Sequence, residues 1–436
     1  MMKILQDIFT KNGHFNVFYA LLLLAAVTLP MTTFLMLPIA ILMLLNVVVE
    51  WNWRQKWQNI RQHKAIPSFF IFLSLYLIPF IGLILSFNKG RAMSCFDCYL
   101  WFLVAPVCCL TYDPELFTNR RIRIILKYFA FSTILHACIL LGTATYRLLK
   151  TGDTGAFYYM KLSFLRHPSY VAMYSTFTFF LLLYFIHHYK KIISLPSVIA
   201  IILSLIILLA LIVLLQSKAG LIVFAILTVM WFVYFICHVR YKLAWGALFL
   251  ALTVGLGLLV FRTDVLPVNR LQETITQVQH HKEKPYGHGS SEIRLTVWKS
   301  TLEIIRKNLP WGVGTGDATD ELCLNAIHKN YTNLIGHHFN AHNQYLQTLL
   351  TVGIPGLIIL LTYCFYPLYF SIRKKDMLYL SFAVILIFNL LVESMFEIRA
   401  GVQFFAIINV LLWLLSVKKN PQIVQEEKIT AEKAEN

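Results

Sequence analysis

An all-α polytopic membrane protein is the fold class that three features of this 436-residue sequence predict. Apolar residues make up 58% of the chain and charged residues only 14%, whereas soluble domains are roughly 45–50% apolar and about 25% charged. Runs of about 18 or more uncharged apolar residues recur along it, each long enough to cross about 30 Å of hydrocarbon. The runs are continuous, whereas a transmembrane barrel would show short segments of alternating polarity.

About twelve spans follow from these runs, at roughly 15–32, 34–51, 67–87, 96–112, 128–146, 169–187, 194–215, 220–238, 243–261, 343–370, 377–394 and 401–417. The connecting loops alternate in charge. Arg54, Lys56, Arg61 and Lys64 fall on one side, with Arg120, Arg121, Arg123 and Lys127, then Lys190 and Lys191, Arg240 and Lys242, Arg373 to Lys375, and Lys418 and Lys419. The positive-inside rule makes that side cytoplasmic and places both termini there. Lys3 and Lys11 precede the first run, no small-x-small cleavage site follows, and a second span comes almost at once. An uncleaved first helix is expected rather than a signal peptide. The formal charge of +17 is absorbed by these loops, so it points to membrane orientation and not to a nucleic-acid partner.

Four regions result: nine spans in 1–261, a large exported loop in 262–341 before the tenth span, three spans in 342–417, and a charged, non-periodic cytoplasmic tail in 418–436. A structureless loop of that length would be unusual, and its sequence predicts helix. Ser290-Ser291-Glu292 can cap a helix whose apolar face is Ile293, Val297, Trp298, Thr301, Leu302 and Ile305, with Arg294, Lys299 and Arg306 off that face. A second, shorter helix is expected over 318–330. Between them, Gly312-x-Gly314-x-Gly316 reads as a tight turn: it follows a helix rather than a strand and lacks a P-loop lysine.

Chemistry concentrates where the exported loop meets the tenth span. His337-His338-Phe-Asn-Ala-His342-Asn343 runs directly into an apolar segment, with Gly353-Ile-Pro355-Gly356 shortly after. The pattern suggests an imidazole at the mouth of a span and glycines that thin the helix beside a lipid-facing groove. At the first turn of a helix, the backbone dipole would disfavour the protonated ring of His342, leaving a base able to take a proton from an attacking hydroxyl. The plainer reading is an interfacial histidine. His338 and His342, four apart, would share a helix face as metal ligands do, but no acidic or cysteine partner lies nearby in sequence, and no metal or cofactor is expected.

Exported cations come next. Lys218 stands in a short turn between two apolar spans, Arg294 lies in the capped helix, and Arg166-His167-Pro168-Ser169-Tyr170 opens another span. Such groups suit a diphosphate; singly, each also reads as a solvated charge or a headgroup contact. Glu393 and Glu397 flank the last exported turn, where either could pair with Arg399 or orient a histidine or a sugar. The eight cysteines mostly lie in or beside apolar spans, where cysteine packs as a small hydrophobe. Cys95-Phe-Asp-Cys98 has redox spacing without a thioredoxin-like context.

These pieces together resemble the O-antigen ligase and polymerase superfamily. His342-Asn343, nine residues, Gly353, two residues, Gly356 is similar to that family's His-Asn-x9-Gly-x2-Gly pattern. Arg294-x3-Trp298 followed by Leu309-Pro310-Trp-Gly312-Val-Gly314-x-Gly316 resembles the segment before it. Leu214-Leu-Gln-Ser217-Lys218-Ala-Gly220 resembles the family's Ser-Arg-Gly turn, and His167-Pro168-Ser-Tyr170 its upstream His-Pro-x-Tyr. Coverage is about 160–400; the N-terminal third agrees only in hydropathy.

The resemblance implies a metal-independent, inverting glycosyltransferase at the outer face of the bacterial inner membrane. The donor would be a glycan on undecaprenyl pyrophosphate. The acceptor would be lipid A–core oligosaccharide in a ligase, another lipid-linked repeat in a polymerase, or a protein hydroxyl in related oligosaccharyltransferases. His342 would be the base and Lys218 and Arg294 the diphosphate grip, with Arg166, His167, His338, Asn343, Glu393 and Glu397 in possible support. One departure stands out: Lys218 replaces the family's usual arginine, keeping the charge but losing the two-pronged fork. A lipid-linked oligosaccharide transporter, from a different class, would require paired inverted repeats and midplane polar groups. Here the spans carry almost no charge, His136 being the main exception.

Overall fold

The computed structural model describes residues 11–189, 194–238 and 289–417. Every element among them is helical: α1 Lys11–Met31, α2 Met36–Glu50, α3 Trp53–Gln62, α4 Ile66–Ser74, α5 Leu77–Leu85, α6 Lys89–Tyr99, α7 Trp101–Leu110, α8 Asn119–Thr151, α9 Tyr159–Leu162, α10 Pro168–Tyr189, α11 Leu195–Leu214, α12 Lys218–His238, α13 Ser290–Asn308, α14 Ala318–His328, α15 Gln344–Lys374, α16 Met377–Val392 and α17 Arg399–Val417, with short 3-10 turns at Thr154–Phe157 and Met395–Glu397. Nine described helices or helix pairs are long and apolar enough to cross a membrane, or up to ten if the bent pair α2–α3 counts as one. The protein is therefore a multi-pass helical membrane protein. Eleven of the twelve expected spans coincide with helices; the twelfth, 243–261, lies outside the described residues, as do 262–288 and the tail from 418. Two of the eleven differ in kind. α16 has only 16 residues. α2 ends after 15 residues, and the chain then turns by 109° into α3. The turn is local: Trp51 takes a left-handed conformation (φ 45°) and the Asn52 side chain caps α3. One edge of α3 is then tied down, as Lys56 pairs with Glu50 and Asn59 donates to the Thr111 carbonyl (2.7 Å).

The central post is α17, buried at every position from Ala400 to Ser416. It packs on α7, α16 and α15, with ring contacts from Phe370 of α15 to Trp413 (6.0 Å) and from Phe382 of α16 to Phe404 (5.9 Å). In lipid the apolar surroundings reward such contacts through close packing, not water exclusion. α11 and α12 lie at the other extreme: Ile199, Leu203, Ile206, Ile222 and Val229 are exposed, as lipid-facing residues must be. A few buried polar groups bind helices together, including Trp231 to Ser381 (2.8 Å) and Tyr379 to Asn409 (2.7 Å).

Two helices stand on one end of this bundle. α13 has the expected start, though the cap is Gly289, whose N–H is held by Glu292 (2.9 Å). Its buried face is Val297, Ser300, Thr301, Ile304 and Ile305. Leu302, expected on that face, is 41% exposed, because the surface against α14 and α15 is lined by the 297–301–304–305 ridge. α14 matches the second expected helix and is joined to α13 by Asn325, which donates to Ser300 (2.9 Å) and Glu303 (3.0 Å).

The glycine turn joins these helices to the bundle through main chain. α15 breaks at Gly353 (φ 65°, ψ −153°), a conformation open essentially to glycine alone. The break releases the carbonyls of Leu350 and Thr351, which accept from Val313 (2.9 Å) and Gly314 (2.8 Å), while Ile354 N–H donates to Pro310 (2.8 Å). A Cβ on Gly353 would lie 1.9 Å from the Pro310 oxygen. The expectation that Gly353 and Gly356 thin the helix beside a lipid groove is thus corrected. Gly353 receives the 310–314 loop, and a Cβ on Gly356 would meet Val352 and Thr348 of its own helix.

Candidate active site

His342 occupies the junction between the α14–α15 connection and α15, held from several sides. Asn343 caps α15 by accepting from Leu346 N–H (3.1 Å), and its own N–H donates to Ser394 (3.2 Å). Ala341 is clamped, its carbonyl accepting from the Trp298 indole (2.9 Å) and its N–H donating to Gln347 (2.9 Å). Between them His342 turns into the left-handed region (φ 45°), with its N–H on Asn340 (3.0 Å). It therefore lies just before the helix, not in its first turn as expected, because Asn343 takes the capping position. The segment before it is not helical either, so His338 and His342 share no helix face. His338 sits beside Cys323 instead (3.6 Å).

The His342 ring points at the end of α16. Its Nδ1 lies 3.1 Å from Glu393 Oε2, and the other oxygen of Glu393 is taken by Arg294 from α13. All three are partly open, with side chains 27%, 14% and 29% exposed. Burial pushes the Glu393 carboxyl upward, but the hydrogen bond from His342 and the charge of Arg294 outweigh it and hold the group below its ordinary range. An ionised carboxylate only accepts, so Nδ1 carries the hydrogen and the lone pair of a neutral ring is left on Nε2. His167, at the head of α10, completes the group: burial lowers its pKa, Glu393 opposes this, and Arg294 and His342 reinforce it.

Lys218 is placed by its turn. Gln216 adopts φ 49°, Ser217 accepts from Gly220 N–H (3.2 Å), and a Cβ on Gly220 would come 2.6 Å from that of Ala172. α12 therefore starts tight against α10, and Lys218 reaches Ser291 (3.2 Å). Ser291 is one turn before Arg294 on the same face of α13, so both cations border one edge of the group.

Other expected residues lie elsewhere. Arg166 turns inward to Tyr174 (3.3 Å), which donates to the Ala400 carbonyl (2.8 Å). Arg399 pairs with Asp97, so neither glutamate takes it. Glu397 is separate: burial pushes its carboxyl from the ordinary 4.5 up to about 7, with the Gln344 amide opposing. The folded state thus favours the protonated form. Its stabilising contribution is complete below about pH 4.5 and fades as pH rises through 7. Detergent-solubilised protein should melt at falling temperature across that window, and Glu397→Gln should flatten the decline; an unchanged slope would refute this.

Gln347 and Ser394 were not anticipated, and Ser291 was expected only as part of a helix cap. Gln347, 3% exposed, had a detectable signal: an amide opening an apolar span must find a partner.

An imidazole oriented by a carboxylate, edged by two cations at one end of a helical bundle, defines a membrane protein equipped for proton abstraction beside an anionic group. Residues 203–361 match the family model described as O-Antigen ligase, a stretch that contains Lys218, Arg294, His342, Gly353 and Gly356. Over that stretch, little more than a third of its length, the chain is similar to the O-antigen ligase family. No curated protein matches it.

Proposed function

We propose that the protein moves a glycan from undecaprenyl pyrophosphate to a hydroxyl of lipid A–core oligosaccharide, as an O-antigen ligase of the bacterial inner membrane. The observation that carries this is the His342–Glu393–Arg294 arrangement. The acceptor hydroxyl gives its proton to His342 Nε2 as its oxygen bonds to the anomeric carbon. The bond from that carbon to the diphosphate breaks on the opposite side, inverting the centre, and the electron pair leaves with the diphosphate. Arg294 and Lys218 take up its charge. No step calls for a metal.

The site lies at the start of α15, and Arg373, Lys374 and Lys375 lie at its far end. The same polarity holds for α8, which begins at Arg120, Arg121 and Arg123 and leads toward His167. Basic loops opposite the site support an exported active site with cytoplasmic termini. The four-region division, with 262–341 as the exported loop, belongs to the same reading.

The test offers purified protein a lipid-diphosphate glycan with lipid A–core and a second lipid-linked repeat side by side. Product on lipid A–core supports the ligase. Product only on the lipid-linked repeat makes the enzyme a polymerase. No new glycosidic bond on either acceptor overturns the reading.

A further inference from the structure

Glu393 holds a different group on each oxygen: the guanidinium of Arg294 on Oε1 and the imidazole Nδ1 of His342 on Oε2. Building on the transfer reading above, we infer that this shared carboxylate couples donor binding to the base, so that His342 is fully activated only when a diphosphate has drawn Arg294 away. Arg294 is 29% exposed, and on α13 it stands one turn from Ser291, where Lys218 docks. A diphosphate arriving at that edge meets two cations, and its paired oxygens compete with the carboxylate for the guanidinium fork. While Arg294 stays on Glu393, it offsets the negative charge felt by the ring. Once it leaves, that charge acts on Nδ1–H alone and stabilises the imidazolium formed when Nε2 takes the acceptor proton. Of the other groups facing the ring, His167 is half-buried and its pKa is lowered, which disfavours a competing charge there. Glu393 is thus a positioning residue, and the arrangement favours donor before acceptor, with little activation of water in the empty site.

The coupling gives opposite signs to two measurements. Full-length protein in detergent is titrated with geranylgeranyl diphosphate, with the monophosphate as control, and turnover is followed with a lipid-diphosphate glycan. Glu393→Gln frees Arg294, so the diphosphate should bind about threefold more tightly or better, while turnover falls about 100-fold. A residue that merely supported the fold would weaken both. Should Glu393→Gln fail to fold, Glu393→Asp, too short to reach both partners, should show the same opposed signs. Diphosphate affinity unchanged or weakened in the folded variant, or turnover retained, overturns the coupling. If wild-type protein binds the diphosphate but forms no glycosidic bond, the transfer reading falls, while the affinity measurement still tests the release of Arg294. If wild type transfers and the variant loses binding and turnover together, only the coupling falls.

Discussion

Replacing His342 with alanine should lower transfer by about 1000-fold while leaving protein level and melting temperature close to wild type. The separation follows from the geometry. His342 is partly exposed, so its removal opens no sealed cavity. Glu393 keeps Arg294 as a partner, so no carboxylate is left buried and unpaired, the usual route to large destabilisation. Asn343 still caps α15 through Leu346, and the Trp298–Ala341–Gln347 clamp is main chain on the residue before. Initial rates with purified variant and a lipid-diphosphate glycan check this. Activity within tenfold of wild type would remove His342 from the chemistry.

Gly353→Ala should have the largest effect on stability, about 3 kcal/mol or more. Its backbone conformation alone costs a non-glycine residue about 1–3 kcal/mol. The new methyl would also lie within bonding distance of the Pro310 oxygen, forcing the loop off α15 and stranding the Leu350 and Thr351 carbonyls in an apolar setting. Since the same loop sets how α13 stands on α15, Arg294 should lose its register with Glu393, and transfer should fall with stability. Thermal melting in detergent and the transfer assay report the two effects; a wild-type melt would contradict the docking role assigned to this glycine.

The sequence was most readable where periodicity and length decide the structure. Continuous apolar runs placed the spans, and the Glu292 cap with its apolar ridge placed α13. His342 and Lys218 were singled out by residue type at span mouths and Arg294 as a cation in the capped exported helix, and the structure gathers them at one end of the bundle. What escaped depends on long-range contact. Glu393 had two candidate partners within reach of its chain position, Arg399 or a histidine, and only the packing of α16 beside the start of α15 selects His342. The glycines had the right positions and an incomplete reason: nothing local reveals that a helix will open at 353 to receive a loop forty residues earlier. Hydropathy ends the second span near Glu50, but it does not give the 109° turn by which the polar helix α3 then leaves α2.

Because the imidazole lies within 203–361 and the carboxylate that orients it follows much later, on the end of α16, the recognisable domain and the working unit differ in extent. Under the proposed reaction, a hybrid assembled by exchanging only the recognisable portion would pair one parent's His342 with the other parent's Glu393. Swaps meant to trade acceptor preference should therefore carry the chain through Arg399, moving both halves of the proton-handling pair as a single inheritance.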